Sequence, residues 1–274
     1  MLADHLSRQT YAIAAGYVEN RLEVAVVGVR LARRPFLELT FPKANPFSPG
    51  QLLTLHVDDR TGVEEFDPEL RVHRSSVKAR LVGAGLEASA EILEYELHHG
   101  SRVVEKYAHS SFSYADDKRP EAGLPASPLT GAPRFDDSEY QNKLGVLVTR
   151  GPAQPHTTVM AFLSSEYDDI FLITRPGTLK WKYLQRDRRV AFAIDHRANY
   201  LFEKAYEWNY TIFRGEAGVV PPGSEVFRAI QAAFIDKNPW EIVFFSAPDL
   251  VMYHIQPQEI LCAEKYQRAL RTRG

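Results

Sequence analysis

The stretch KLGVLVTRGPAQPHTTVMAFLSSEYDDIFLITRPGTLKWKYLQRDRRVAFAID, residues 143–195, decides how the chain is read. Its runs "GVLVTR", "HTTVMAFL" and "IFLIT" are short, apolar and rich in β-branched residues, and turn residues separate them. That pattern reads as strands. A helix is expected from Thr178, and "RVAFAID" returns to strand. Further on, "YTIFRGEAGVV" and "LVMYHIQPQEILCAE" read as strands on either side of the helix "SEVFRAIQAAFIDK". There Phe227, Ile230 and Phe234 make an apolar stripe, with Ser224 as N-cap. "EYQNKLG" ahead of the first strand reads as a short helix. Strands, helix, strands, helix, strand is not the alternation of a doubly wound parallel sheet. The class expected is mainly β, a barrel decorated by a few helices.

The charges after Gly177 are in an unusual place. Pro176 and Gly177 form a turn, Thr178 sits at an N-cap, and the first helical turn carries Lys180 and Lys182 around Trp181. A helix N-terminus is the positive pole, where acidic residues are favoured and each cation costs a few tenths of a kcal/mol, up to ~1. Two lysines there suit a segment that meets an anion such as phosphate. The plainer reading is that both point into water.

Taken in order, the elements of residues 138–266 resemble the FMN-binding split-barrel family, of which pyridoxamine 5′-phosphate oxidase is the best-known member. The ordered features are the turn "TRGPAQPH", the strand "TTVMAF", the hairpin "SSEYDD", the strand "FLIT", the loop "GTLK" and the run "RDRRVAFAID". A later strand with Gly-x-Ala (Gly215, Ala217) and a final strand with its proline (Pro257) complete the series. The resemblance implies a split β-barrel that binds FMN. Thr157, Thr158, Val159 and Met160 would line the flavin, and Ile173 and Thr174 would touch the ring or ribityl chain. Thr178 and Lys180 would hold the phosphate, with Leu179 beside them. The oxidases carry an arginine where this chain has Thr158, and often a second basic residue at Leu179. More of the phosphate's charge then falls to Lys180 and Lys182. The arginine-containing segment that grips pyridoxamine phosphate is not recognisable in "KYQRALRTRG", so that reaction is not expected. The resemblance also implies a homodimer with the cofactor at the interface. The aromatic stretch "YLFEKAYEWNY", residues 200–210, suits such a surface. Trp181, Tyr206 and Trp208 are read as core or interface residues in preference to flavin stackers.

Ahead of this region, "RLEVAVVGVRL", "PFLELTF", "QLLTLHV", "SSVKARLVG", "LEASAEILEYEL" and "SRVVEKY" alternate with period two. They predict an N-terminal antiparallel β-rich barrel or sandwich over residues 1–114. In "QLLTLHV", Leu53, Leu55 and Val57 share one face and Thr54 and His56 the other. Residues 115–135, with four prolines and no periodicity, read as a linker or a long arm on a surface, and 136–274 as the FMN-binding domain. "RLARR", residues 30–34, has a basic spacing similar to PilZ-type cyclic-dinucleotide barrels. The companion Asp/Asn-x-Ser-x-x-Gly is missing, so Arg30, Arg33 and Arg34 read as a solvated strand edge.

The chain has 274 residues, 45% apolar and 25% charged, with a net charge of −2. This composition is globular and carries no basic footprint for nucleic acid. Lys265, Arg268, Arg271 and Arg273 read as a solvated or frayed end. The single cysteine, Cys262, excludes an internal disulfide framework and suits a reducing cytoplasm; it reads as a small core residue. No signal peptide is evident, and no apolar run reaches the ~18 residues of a membrane span. Nine histidines show no metal-ligand spacing, so no metal is expected. His156 and His196 read as polar loop residues first, and as the candidates for an axial ligand should the barrel hold haem, as a relative of this fold does.

The function expected is therefore a cytoplasmic, homodimeric FMN flavoprotein. If it is an enzyme it is an oxidoreductase related to the pyridoxamine phosphate oxidases, acting on a different small molecule; no catalytic acid or base is named by the sequence. The alternatives are a haem-binding or haem-degrading split barrel, and a non-catalytic ligand-sensing or interaction protein that has lost the cofactor.

Overall fold

The computed structural model describes residues 2–31, 35–59, 72–195, 210–263 and 268–271. Arg33, Arg34, His196, Lys265, Arg273, Tyr206 and Trp208, with the aromatic stretch 200–209, lie outside the described residues. The protein is mainly β and divides into two compact units. The chain up to Lys118 and Gly151–Thr158 belong to the first; Arg119–Arg150, Val159–His196 and Asn209–Gly274 belong to the second.

The first unit opens with a single helical turn, α1 (Leu2–His5). Seven antiparallel strands follow: β1 (Gln9–Val18), β2 (Arg21–Arg30), β3 (Phe36–Thr40), β4 (Leu52–Asp58), β5 (His73–Leu81), β6 (Glu87–His99) and β7 (Arg102–Ala108). They pair in the order β3-β2-β1-β4-β5-β6-β7, and β3 also pairs with β6. That extra ladder closes six strands into a barrel. Closure corrects the reading of Arg30 as an edge residue: β2 is paired on both sides, and Arg30 instead meets Glu38 on β3 at 3.1 Å. Val27, Val29, Leu53, Leu55, Val57, Val77, Ala79 and Leu81 fill the interior in period-two alternation. The outer faces of β4 and β5 are polar yet covered. Thr54, His56, Asp58 and Lys78 are all buried. Lys78 Nζ donates to Thr54 Oγ1 (3.0 Å) and to the carbonyl of Pro155 (3.1 Å). Burial brings the pKa of this ammonium down to about 7, opposed by Glu94.

In the second unit a 3₁₀ turn covers Asp137–Glu139, capped by Asp136. The helix expected over "EYQNKLG" is not formed, because residues past this turn go straight into β8 (Leu144–Thr149). Next come β9 (His156–Ala161), β10 (Leu163–Ser164), β11 (Ile170–Thr174), α2 (Leu179–Leu184), β12 (Arg189–Asp195) and β13 (Tyr210–Val219). The helices α3 (Glu225–Lys237) and α4 (Ile242–Phe245), with a 3₁₀ turn between them, precede β14 (Val251–Cys262). The sheet order is β10-β11-β14-β13-β12-β8-β9. Laid flat, seven strands would hold the two edges ~29 Å apart. Yet Phe162 alone separates β9 from β10, a reach of ~7 Å. The sheet must therefore curl into a barrel whose seam is bridged by the chain itself.

Phe162, Phe192, Phe213, Leu172 and Tyr253 pack inside this barrel. On the outer face Phe171, Ile173 and Met252 pack against Val226, Ile230 and Phe234 of α3. The Gly-x-Ala strand and the proline strand meet directly, with Gly215 opposite Pro257 beside a bulge. A Cβ on Gly215 would lie 2.1 Å from the carbonyl oxygen of Gln256, so only glycine fits. The proline-rich segment runs along this unit as an arm. Ala122 and Gly123 bond to Gln185, Ala126 bridges to Val219, and Leu129 and Phe135 join the α3 cluster.

Candidate functional site

Of the sequence-predicted residues, Thr174, Thr178 and Lys180 lie where β11 gives way to α2. Strand β11 is buried throughout and ends at Thr174. Arg175 then turns outward to a bidentate pair with Asp249, at 3.0 and 3.2 Å, which holds the Asp249 carboxyl below its ordinary range. Pro176 fixes one turn position and Gly177 takes φ +85°, a conformation glycine adopts without strain. The turn delivers Thr178 as the N-cap of α2. Its Oγ1 accepts from the Trp181 backbone N–H (3.4 Å) and donates to the Arg175 carbonyl (3.1 Å). Thr174 Oγ1 lies 3.4 Å from the same hydroxyl. Two threonine hydroxyls thus stand together at this corner, and Lys180 follows two residues after Thr178 in the first turn of α2.

Lys180 is the electrostatic centre. It is half-buried, and desolvation alone lowers its pKa from the ordinary lysine value. Among the described residues no acid is paired with it. A cation drawn part-way out of water without a counter-charge is unstable by itself and favourable beside an anion.

The other predicted residues are placed differently. Lys182 is exposed and sits about 200° around the helix from Lys180, so the two side chains leave opposite faces. Leu179 is exposed. Trp181 packs on the barrel core, as a core residue does. Ile173 is buried in the cluster under α3 while Thr174, next along the strand, takes the other face. On β9, Val159 is buried and Met160 packs against the barrel core. Thr157 and Thr158 belong to the first unit. The Thr157 hydroxyl lies 2.8 Å from Ser76 Oγ, and the Thr158 hydroxyl lies 3.1 Å from His156 Nε2.

Several polar groups escaped the sequence reading. Lys237 is buried at the end of α3, its Nζ 3.8 Å above the Phe162 ring, and burial brings its pKa down to about 7. Lys143 reaches the Lys237 carbonyl at 2.9 Å. The tail arginines are held rather than frayed. Arg268 pairs with buried Asp168 at 2.7 Å, and Arg271 with Asp136 at 3.1 Å, because Asp168 and Asp136 both sit beside the hairpin the tail crosses. His254, a lone imidazole in the apolar run "VMYHI", is almost fully buried; that isolation was its only signal. Cys262 is a buried free thiol. Among the described residues no group of three or more His, Cys, Asp or Glu could hold a metal, and no helix is long and apolar enough to cross a membrane.

No family model matches the chain, and no curated protein matches it. Solved structures similar in part include a haem storage protein from Vibrio cholerae, with 17% identity over 44% of this chain and 85% of that one, at TM-score 0.37. An FAD-binding protein from Mesorhizobium loti shares 16% identity over 43% of this chain and 82% of that one, at TM-score 0.33. A candidate pyridoxamine 5′-phosphate oxidase from Listeria innocua shares 19% over 44% and 89%, at TM-score 0.32. Each of these likenesses covers less than half of this chain.

Proposed function

We propose that the second unit is an FMN-binding module and that the protein is a flavin-dependent oxidoreductase. The observation that carries this reading is Lys180, a desolvated cation with no acid beside it among the described residues, at the corner formed by Thr174 and Thr178. The donor types suit a phosphate monoester: one ammonium as point charge and two hydroxyls on the adjoining turn. Thr174 is the freer hydroxyl, since Thr178 Oγ1 already caps α2. Val159, Met160 and Leu179 of the same unit belong to the proposal as apolar surroundings of the flavin. Bound flavin supplies hydride or electron transfer, while the chain's share is to bind and orient it.

The homodimer and the cytoplasmic setting are part of the same proposal. α4 exposes Ile242, Val243 and Phe244, apolar surface of the kind that marks an interface. One absorption spectrum of the purified protein tests the reading. A flavin spectrum, with FMN released on denaturation, supports it. A Soret band would replace it with haem, and a colourless protein indifferent to added FMN would replace it with a cofactor-free binding protein.

A further inference from the structure

A second cluster in the same unit has the parts of a nucleophilic site. Ser127 Oγ lies 2.8 Å from His254 Nδ1, and His254 Nε2 lies 2.8 Å from Asp169 Oδ1. Asp169 is an acceptor only, so the imidazole N–H belongs on Nε2 and Nδ1 is left to accept from the serine hydroxyl. The orienting shell is complete. Ser165 Oγ donates to Asp169 Oδ2 at 2.7 Å. The Phe171 ring stacks on His254, with centroids 5.2 Å apart. The neighbouring Asp168, at φ +67°, is clamped by Arg268 and by the Arg271 backbone N–H. His254 and Asp169 are buried, while Ser127 is half-exposed between exposed Ala126 and Pro128. Asp169 precedes β11 and Thr174 ends it, five residues or ~16 Å along the strand, so this cluster is separate from the Lys180 corner.

We propose that Ser127 is a nucleophile activated by His254 and positioned through Asp169, able to accept an acyl group from a small carboxylic ester. Serine, base and orienting acid stand in the order of contact that such catalysis requires, with the two imidazole nitrogens exchanged relative to the usual arrangement. In the first step Ser127 Oγ bonds to the acyl carbon and its proton passes to His254 Nδ1. The ester C–O bond then breaks and the leaving alcohol takes that proton. Water, deprotonated by the same nitrogen, cleaves the acyl-serine to a carboxylic acid and restores the hydroxyl. The next residue, Pro128, has no N–H, and the Leu129 N–H is directed at Ser127 Oγ itself (3.3 Å). A missing oxyanion donor costs ~10²–10³ in rate, so acylation with slow turnover is the expected behaviour.

The test treats the full-length protein at pH 8 with a fluorophosphonate probe, and separately with p-nitrophenyl acetate, and locates the adduct by peptide mass. The expected result is a single adduct on Ser127, formed from the folded protein and not from the protein unfolded in guanidinium. Its rate should fall at least ~100-fold in Asp169→Asn. The Ser127→Ala protein should take none. No adduct on Ser127, an adduct only elsewhere, or the same rate from folded and unfolded protein would overturn the proposal. These readouts need no flavin, so they stand or fall independently of the FMN reading.

Discussion

Replacing Lys180 by methionine should move flavin affinity and apo-protein stability in opposite directions. The side chain is half-buried without an acid partner, and its folded-state pKa lies below that of the unfolded chain. The folded state thus binds fewer protons than the unfolded one between its own pKa and the ordinary lysine value. The resulting destabilisation is fully present below the folded pKa and fades as pH rises towards the unfolded value. Methionine keeps the stem and removes the charge, so the variant without ligand should melt higher at pH 7, and the gain should shrink by pH 10. Binding goes the other way. An ammonium 4 Å from one phosphate charge gains ~4 kcal/mol at an effective dielectric of 20, and after desolvation a charge-assisted hydrogen bond nets about 1.5–3 kcal/mol. That is about a 10- to 150-fold weaker Kd for FMN. Riboflavin, which lacks the phosphate, should bind wild type and variant alike. Titration calorimetry with both ligands, plus melting curves at two pH values, reads every part. Equal FMN affinity in the two proteins would mean that Lys180 does not meet the phosphate.

Lys237→Met should flatten a rise in stability with pH. Its folded pKa of about 7 makes the buried amine a destabilising proton site from below pH 7 up to the unfolded lysine value. Wild-type stability should gain up to ~1.4 kcal/mol per pH unit from this group between pH 7 and 10, measured by urea midpoints, and the variant should lose that slope. Gly215→Ala forces a Cβ into the Gln256 backbone and should cost about 3 kcal/mol or more in the same assay. Ser224→Ala removes the bond that Phe227 N–H makes to Ser224 Oγ at 3.0 Å and should cost ~1 kcal/mol. Val243→Glu places a charge on the apolar face of α4 and should shift the mass seen by light scattering from dimer to monomer without lowering the melting temperature; an unchanged mass would remove α4 from the interface.

Strands with one polar face were legible from their alternation, and β2, β3, β4, β5, β6 and β7 all fall where the period-two runs stand. β1 was not, because its residues from Thr10 to Gly16 are buried on both faces and are partly alanine, which leaves no alternation to see. The N-cap of α3 and the turn before α2 were readable from Ser224, Pro176 and Gly177, whose chemistry is local. The "EYQNKLG" reading failed because it lacked a stripe to bury; only the Asp136-capped turn ahead of it formed. At the site, Lys180 was legible as a charge at the wrong pole of a helix. Its separation from Lys182 follows from helix geometry that spacing alone already contained. The Ser127–His254–Asp169 contacts join residues up to 127 positions apart and depend on how the arm lies along the sheet. No local pattern carries such information.

Whether Lys180 meets the phosphate of a bound flavin nucleotide is read from a crystal structure of the protein soaked with FMN. A phosphate oxygen is expected within ~3 Å of Lys180 Nζ, with the Thr174 hydroxyl turned towards the same group. FMN bound with its phosphate elsewhere, and the Lys180 ammonium still facing no anion, would contradict that contact.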